Sequence, residues 1–371
     1  MDRWDAVVIG GGIAGVSAAF ELTQSGLRTV LVEMESQLAY HTTGRSAALY
    51  LENYGHPAVR PLSRASRPIF ERPAWADHPL IGEQRGAITV ATRRQMEALA
   101  RQEQEAAAAG TSTRMLTGEE AAALVPALRP IEAALWEPGA ADIDVAGTHQ
   151  MYVRGLRRND GEIRTSSPVT GLAVDGDGWQ LACGEDRLRA RVVVDAAGAW
   201  GDAVAGLAGV NPIGLTPMRR TAFMVTGPPG SSGWPLVIGA GHDFYFKPDG
   251  AQLLCSPSEE EPVEPGDPRP REEDIAMAIE RINEVTTLDI RSVRSSWTGL
   301  RTFAPDRSMV IGEDPEAPGF FWLVGQGGTG IETAPAAAQL LASLVTRGEA
   351  PDHLNHVRLD AITPGRLRPS G

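Results

Sequence analysis

Gly10, Gly12 and Gly15, followed by Glu33, have the residue types and the spacing to hold a dinucleotide. Gly10 lets the chain turn sharply out of the apolar run 6–9, Gly12 lets backbone approach a pyrophosphate, and Gly15 lets a helix pack close on the strand. The N-terminus of that helix, through Ile13 and Ala14, aims unpaired N–H groups and the positive end of its dipole at the phosphates. Glu33 follows at about the 20-residue distance at which an acidic side chain takes the ribose hydroxyls. A carboxylate there favours a free 2′-OH and repels a 2′-phosphate, which argues against NADP.

The elements that must position these residues are legible around them. Residues 5–33 read as strand, glycine turn, helix and second strand. The run ARVVVDAAGAWGDAVAGLAG repeats this logic and suits a strand returning beside the first unit. GFFWLVGQGGTGIETAPAAAQLLASLV is again an apolar strand, a Gly-rich turn and a long helix. Two such crossings aimed at one ligand exceed what NAD requires. A flavin ring gathers negative charge at its pyrimidine end on reduction, and a helix starting near Gly330 would place N–H groups there. FAD is therefore the expected cofactor.

The 34 basic and 47 acidic residues give a net charge of −13, which discourages binding to nucleic acid or an anionic membrane. No apolar stretch approaches membrane-spanning length. The glycine turn at residue 10 leaves no room for a cleaved signal peptide before it, and the two cysteines, Cys183 and Cys255, suit a reducing compartment. A cytoplasmic location is expected. The seven histidines show no HExxH or comparable pairing, so no metal is expected.

Along the chain, helices are expected over 97–109, 118–124 and 145–158, a short strand over 86–91, and a strand pair over 171–174 and 179–183. The GAADID segment reads as a loop. The stretch 221–296 reads as β-rich, and its run SEEEPVEPGDPRPREED as a solvated loop. The fold class is α/β: a Rossmann-like FAD-binding domain of the glutathione-reductase type, with an inserted antiparallel-sheet α+β substrate domain. Residues 1–78, 144–216 and 300–371 are assigned to the first, and 79–143 and 217–299 to the second.

The ordered set VVIGGGIAG, HTTGRSAALY, ADID, VVVDAAGAWGDAVAGLAGV, RRTAF, FYFKPDG, WTGLRTFAPD and GQGGTGIETAPA resembles the FAD-dependent D-amino-acid oxidase and glycine oxidase superfamily. Within it, the motifs are most similar to those of the bacterial D-arginine dehydrogenases. The resemblance implies that Arg301 holds a substrate carboxylate, with Arg220, a better match than Arg219, and the Tyr245 hydroxyl assisting. Guanidinium forks bind carboxylates bidentately, and hydride transfer needs such orientation. Tyr54 would gate the pocket. Thr42, Thr43, Arg45, Ser46 and Ala47 would lie along FAD, as would Val169, Ala197, Gly198 and Trp200. Gly327, Gly328, Gly330 and Ile331 would close around its ring. The implied reaction oxidises a C–N bond next to a carboxylate: hydride passes from Cα to flavin N5 and the imine then hydrolyses. Oxygen or a quinone would reoxidise the flavin. Some relatives attach FAD through a cysteine, but SSWTGLRTFAPD has none, so non-covalent FAD is expected.

The pocket loop departs from the D-arginine enzymes, placing Leu49 and Leu51 where they carry a histidine and a threonine. Their acidic residue falls at or near Gly86, with Glu83 close by. Such changes remove a counter-charge and add apolar surface worth roughly 1.5–3 kcal/mol per buried leucine. An apolar D-amino acid, or an N-substituted glycine or other secondary amino acid, is expected rather than D-arginine. Glu52 and Asn53 are new polar groups that could read a substrate amine or hydroxyl. A 2-hydroxy-acid dehydrogenase on the same fold would need a base, for which His41 and His242 are the candidates. A non-catalytic flavin-binding module would not need Arg220, Tyr245 and Arg301.

Overall fold

The computed structural model describes residues 2–368. At its centre the strand Asp2–Ile9 lies parallel to Thr29–Val32 on one side and to Asp186–Asp195 on the other. Glu162–Arg164 extends the sheet beyond Thr29–Val32. The ten-residue strand Asp186–Asp195 forks. Its first half pairs antiparallel with Gly178–Cys183, the inner arm of a hairpin with Val169–Asp175. Its last residues pair parallel with Phe320–Val324.

Successive residues of the central strand enter different cores, which is why it reads as a continuous apolar run. Ala6 and Val8 pack under the helices Ile13–Gln24, Val145–Arg158 and Gly330–Arg347, whereas Val7 and Ile9 pack with Val204 and Ala205 of the helix Gly201–Leu207. Among the described residues, no helix is long and apolar enough to cross a membrane.

A second sheet runs in the order Ser295–Phe303, Thr216–Thr226, Gln252–Ser256, Tyr245–Asp249, Leu236–Gly239, Ala87–Ala91, Ala133–Glu137, Arg114–Thr117. One face, carrying Phe223, Val225, Phe246 and Leu253, is covered by the helix Glu272–Val285. The other carries Ala222, Met224, Leu236, Ile238 and Tyr245 and turns toward Ala47, Leu49 and Leu51. The assigned boundaries at 216/217 and 299/300 fall within strands that belong wholly to this sheet.

Three sequence expectations are corrected. ADID is not a loop: Ala141–Ile143 is a strand between Leu49–Tyr50 and Ile81–Gln84, because segments distant in sequence supply its ladder. Its Asp142 accepts from Arg85 Nε at 2.6 Å and from Lys247, the sole lysine of the sequence, at 2.7 Å. Within the β-rich stretch, residues 272–285 form a helix whose Ile275, Ala278 and Ile282 recur at helical spacing and are buried. The acidic run preceding it is an ion-paired strap rather than a free solvated loop. Asp267 lies 2.6 Å from Arg45, Glu260 bridges Arg220 and Arg307, and Glu261 pairs with Arg271.

Candidate active site

The helix Ile13–Gln24 begins after Gly12, which has no side chain to cap it; Ile13 N donates to Thr43 Oγ1 at 3.0 Å, and the N–H groups that follow are left toward the cavity. Gly10 has φ +110°, and a Cβ there would come 2.5 Å from the Ala196 carbonyl oxygen. A Cβ on Gly15 would come 1.8 Å from the Gly10 carbonyl oxygen, so Gly15 serves helix–strand packing and does not line the cavity. Glu33, 9% exposed, accepts from Gly11 N at 2.5 Å and from Glu35 N at 2.9 Å at the cavity floor.

Gly10, Gly12, Ile13, Ala14 and Glu33 line this first cavity, as do Thr42, Thr43, Arg45, Ser46 and Ala47. Val169, Ala197, Gly198 and Trp200 form a second wall, and Gly327, Gly328, Gly330 and Ile331 a third. The loop bearing Thr42 and Arg45 is pinned by Thr42 Oγ1 donating to Leu300 O at 2.8 Å and Arg45 Nη1 to Thr298 O at 2.8 Å. The helix start, the glycine cradle and the acidic strand end together fit FAD: Gly12 and Ala14 could hold its pyrophosphate and Glu33 its ribose. Neither cysteine lines the cavity.

A second cavity, of about 720 Å³, adjoins the first. Arg220, Tyr245 and Arg301 line both, together with Ser46, Ala47, Gln326 and Gly328. Strand register accounts for the grouping. Arg220 lies opposite Gly299 and Arg301 opposite Met218, so the two guanidiniums are diagonal neighbours on one face of the pair. Arg219, one residue earlier, is buried on the opposite face, 3.7 Å from Glu261 and Asp274.

Arg301 Nη1 donates to the Tyr54 hydroxyl at 2.9 Å. Burial opposes the charge on Arg301, but Tyr54, Tyr245 and Glu260 outweigh it and raise its pKa. Arg220 moves the other way, lowered by burial and then by Arg301, and its Nη2 donates to Glu260 at 3.0 Å. The arrangement can bind a small carboxylate where the two cavities meet, on the charge-stabilised guanidinium of Arg301.

Leu49 and Leu51 line the second cavity with Leu236 and Ile238. Glu52 does not; it turns away and accepts from Arg64 at 2.7 Å. Gly86 does not either. It has φ +74° in the link between the strands Ile81–Gln84 and Ala87–Ala91, and a Cβ there would strike the Trp136 ring. Glu83 is exposed. The expected absence of a counter-charge is nonetheless corrected, because Glu137 and Glu105 line this cavity from other elements. Glu137 accepts from Asn53 N at 3.3 Å, and burial pushes its pKa up to about 7.

Sequence reasoning also missed Glu260 and Gln326. Glu260 lay in a run read as solvated, and a contact across 40 residues leaves no local signal. Of the two histidines, His242 lines the second cavity and contacts Gln102 at 3.1 Å. His41 lies in the first, 2.9 Å from Glu35 and against Trp200.

Residues 5–344 match the model of the family described as FAD dependent oxidoreductase (DAO). The chain is 25% identical over 396 residues to mitochondrial dimethylglycine dehydrogenase of Mus musculus, covering 98% of this chain and 44% of that protein. It therefore spans less than half the length of that relative. It is 25% identical over 370 residues to glycine oxidase of Geobacillus kaustophilus, covering 94% of each. The crystal structure of glycine oxidase from Geobacillus kaustophilus superposes with a TM-score of 0.84 at 22% identity, over 97% of this chain and 99% of that one. The dinucleotide cradle, the twin-crossing sheet and these matches place the chain in one group: it belongs to the FAD dependent oxidoreductase (DAO) family.

Proposed function

We propose that the protein oxidises the C–N bond of a small amino acid whose carboxylate sits on Arg301. The substrate is an N-substituted glycine, another secondary amino acid or an apolar D-amino acid, in preference to D-arginine. The observation that carries this reading is the shared lining of the two cavities by Arg220, Tyr245 and Arg301. A carboxylate held there leaves the adjacent carbon at the border with the cofactor cavity. FAD, when bound, supplies the acceptor for the hydride lost from that carbon.

The chain's own residues bind and orient. Arg301 forms the charged bond to the carboxylate, while Tyr245 and Tyr54 offer hydroxyls beside it. Leu49, Leu51, Leu236 and Ile238 cover the apolar part of the substrate. A neutral amine needs no strong base, which suits a cavity whose His242 is made a weaker base by burial. Two of the matched relatives are named for dimethylglycine and glycine, which supports the N-substituted glycine branch. Glu137 gives a cationic side chain only a partly ionised partner at pH 7.

Anaerobic bleaching of the flavin absorbance by a panel of sarcosine, dimethylglycine, proline and D-amino acids tests the reading without requiring the electron acceptor. Bleaching by one of the N-substituted glycines or apolar D-amino acids, ahead of D-arginine and D-lysine, is expected. A panel headed by D-arginine, or by 2-hydroxy acids, would overturn it.

A further inference from the structure

The second cavity already holds a carboxylate of the protein's own. Glu260 lines it and lies between two guanidiniums: Oε1 is 3.0 Å from Arg220 Nη2, and Oε2 is 2.8 Å from Arg307 Nη2. Its position is fixed from both sides. The preceding Glu259 accepts from the backbone N–H of Thr221 at 2.6 Å, the residue after Arg220. Farther along the strap, Asp267 is 2.6 Å from Arg45. Arg220 is only 12% exposed while Glu260 is 34% exposed, so the pair is buried on the arginine side and open on the other, whereas Arg301 has Tyr54 and no carboxylate partner among the described residues.

We propose that Glu260 sets substrate selectivity by acting as a built-in carboxylate that occupies Arg220 and excludes a second acidic group from the substrate. This rests on the reading that Arg301 takes the substrate carboxylate. A monocarboxylate then meets Arg301, the guanidinium that both cavities share without a carboxylate partner, and no uncompensated repulsion. A dicarboxylate such as N-carboxymethylglycine brings its second charge toward Glu260, where like charges oppose each other in a partly desolvated space. With a neutral residue at 260, Arg220 and Arg307 become a second anion site, and the penalty turns into an attraction.

The test compares acetate with malonate as ligands of the FAD-loaded protein, read from the perturbation of the flavin spectrum. N-carboxymethylglycine against sarcosine in kcat/KM is the parallel measurement. In Glu260→Gln, the ratio of malonate to acetate affinity is expected to rise at least about tenfold, with acetate binding changed far less. Asp267→Asn, which loosens the strap but leaves the cavity charge in place, is expected to keep the wild-type ratio. An unchanged ratio in both Glu260→Gln and Glu260→Ala, while acetate binding still depends on Arg301, overturns the role of Glu260 alone. A shift in Asp267→Asn as large as in Glu260→Gln would overturn it too, because strap position rather than charge would be selecting. Acetate binding undisturbed by Arg301→Met would overturn both this proposal and the clamp on which it rests.

Discussion

The Tyr54 hydroxyl accepts a hydrogen bond from Arg301 Nη1 at 2.9 Å, joining residues 247 positions apart at the border of the two cavities. The guanidinium is thereby oriented before any substrate arrives, and Gly328 makes room for the pair. A Cβ at Gly328 would come 2.5 Å from the tyrosine oxygen and 3.1 Å from Arg301 Cζ. Preorganisation of this kind lowers the ordering cost of binding a carboxylate.

Replacing Arg301 by Met removes the charged partner while keeping bulk. Truncating one member of a buried charged pair costs about 2–5 kcal/mol, so kcat/KM should fall on the order of 30- to 5,000-fold. FAD content should persist, since the glycine cradle and Glu33 are untouched. Steady-state kinetics with the best substrate, alongside the flavin-to-protein absorbance ratio, decide this. Unchanged turnover with FAD retained would sink the carboxylate clamp.

Leu49 and Leu51 pack with Leu236, Ile238 and Tyr245 at the cavity wall. Shortening either to Ala should lower kcat/KM for a bulky apolar substrate such as D-leucine by about tenfold, with a smaller effect on sarcosine, because a methylene or two in a pocket is worth roughly 1–3 kcal/mol. If the leucines serve only the core, the melting temperature will drop while the ranking of substrates stays as in the wild type.

Asp195 ends the strand Asp186–Asp195 beside Asp2–Ile9, fully buried, with Oδ1 accepting from Ala197 N at 3.0 Å and no partner for Oδ2 among the described residues. Burial raises its pKa from 3.8 to about 8. A carboxyl raised on folding binds its proton more tightly in the native state. Its contribution is therefore fully present below about pH 4 and is lost as pH climbs through about 8. The melting temperature should decline as pH rises from about 5 to about 8 and level off above that. In Asp195→Asn, which keeps an acceptor for Ala197, that decline should be shallower, and parallel curves for the two proteins would contradict the assignment.

What the sequence revealed of this site depended on how far its signals travel. The spacing of Gly10, Gly12, Gly15 and Glu33 is local, because one βαβ unit contains the whole phosphate and ribose cradle. Arg220 could be preferred over Arg219 by motif, and strand alternation explains why: adjacent residues face opposite sides of a sheet. Gly86 reads in the sequence as the place of a substrate-side acidic residue, whereas the structure sets it against the Trp136 ring, outside the cavity. Glu137 and Glu260 were out of reach. One meets Asn53 across 84 residues and the other meets Arg220 across 40, through sheet register that no local periodicity encodes. The helix Glu272–Val285 did carry its own signal in Ile275, Ala278 and Ile282, which the surrounding β-rich texture obscured.

Glu137 gives the cavity wall a pH-dependent charge. The carboxyl lies on the last residue of Ala133–Glu137 and accepts from Asn53 N, next to the Tyr54 that holds Arg301. Burial is the largest influence on it, outweighing the backbone N–H groups of Asn53 and Glu52, so its pKa stands at about 7. Below that pH a neutral carboxyl faces the substrate's tail, and above it a carboxylate does. A weak cationic ligand such as D-lysine should therefore bind more tightly as pH rises through about 7, whereas sarcosine, which has no tail, should not follow that step. Glu137→Gln keeps the shape and removes the titration. It should abolish the D-lysine step, leaving binding at the weak low-pH level throughout. Ligand titrations followed by the flavin spectrum between pH 5.5 and 8.5 measure this directly. A D-lysine step that survives in Glu137→Gln would assign the titration to another group, with the neighbouring Glu332, raised to about 8 by burial, the next to replace.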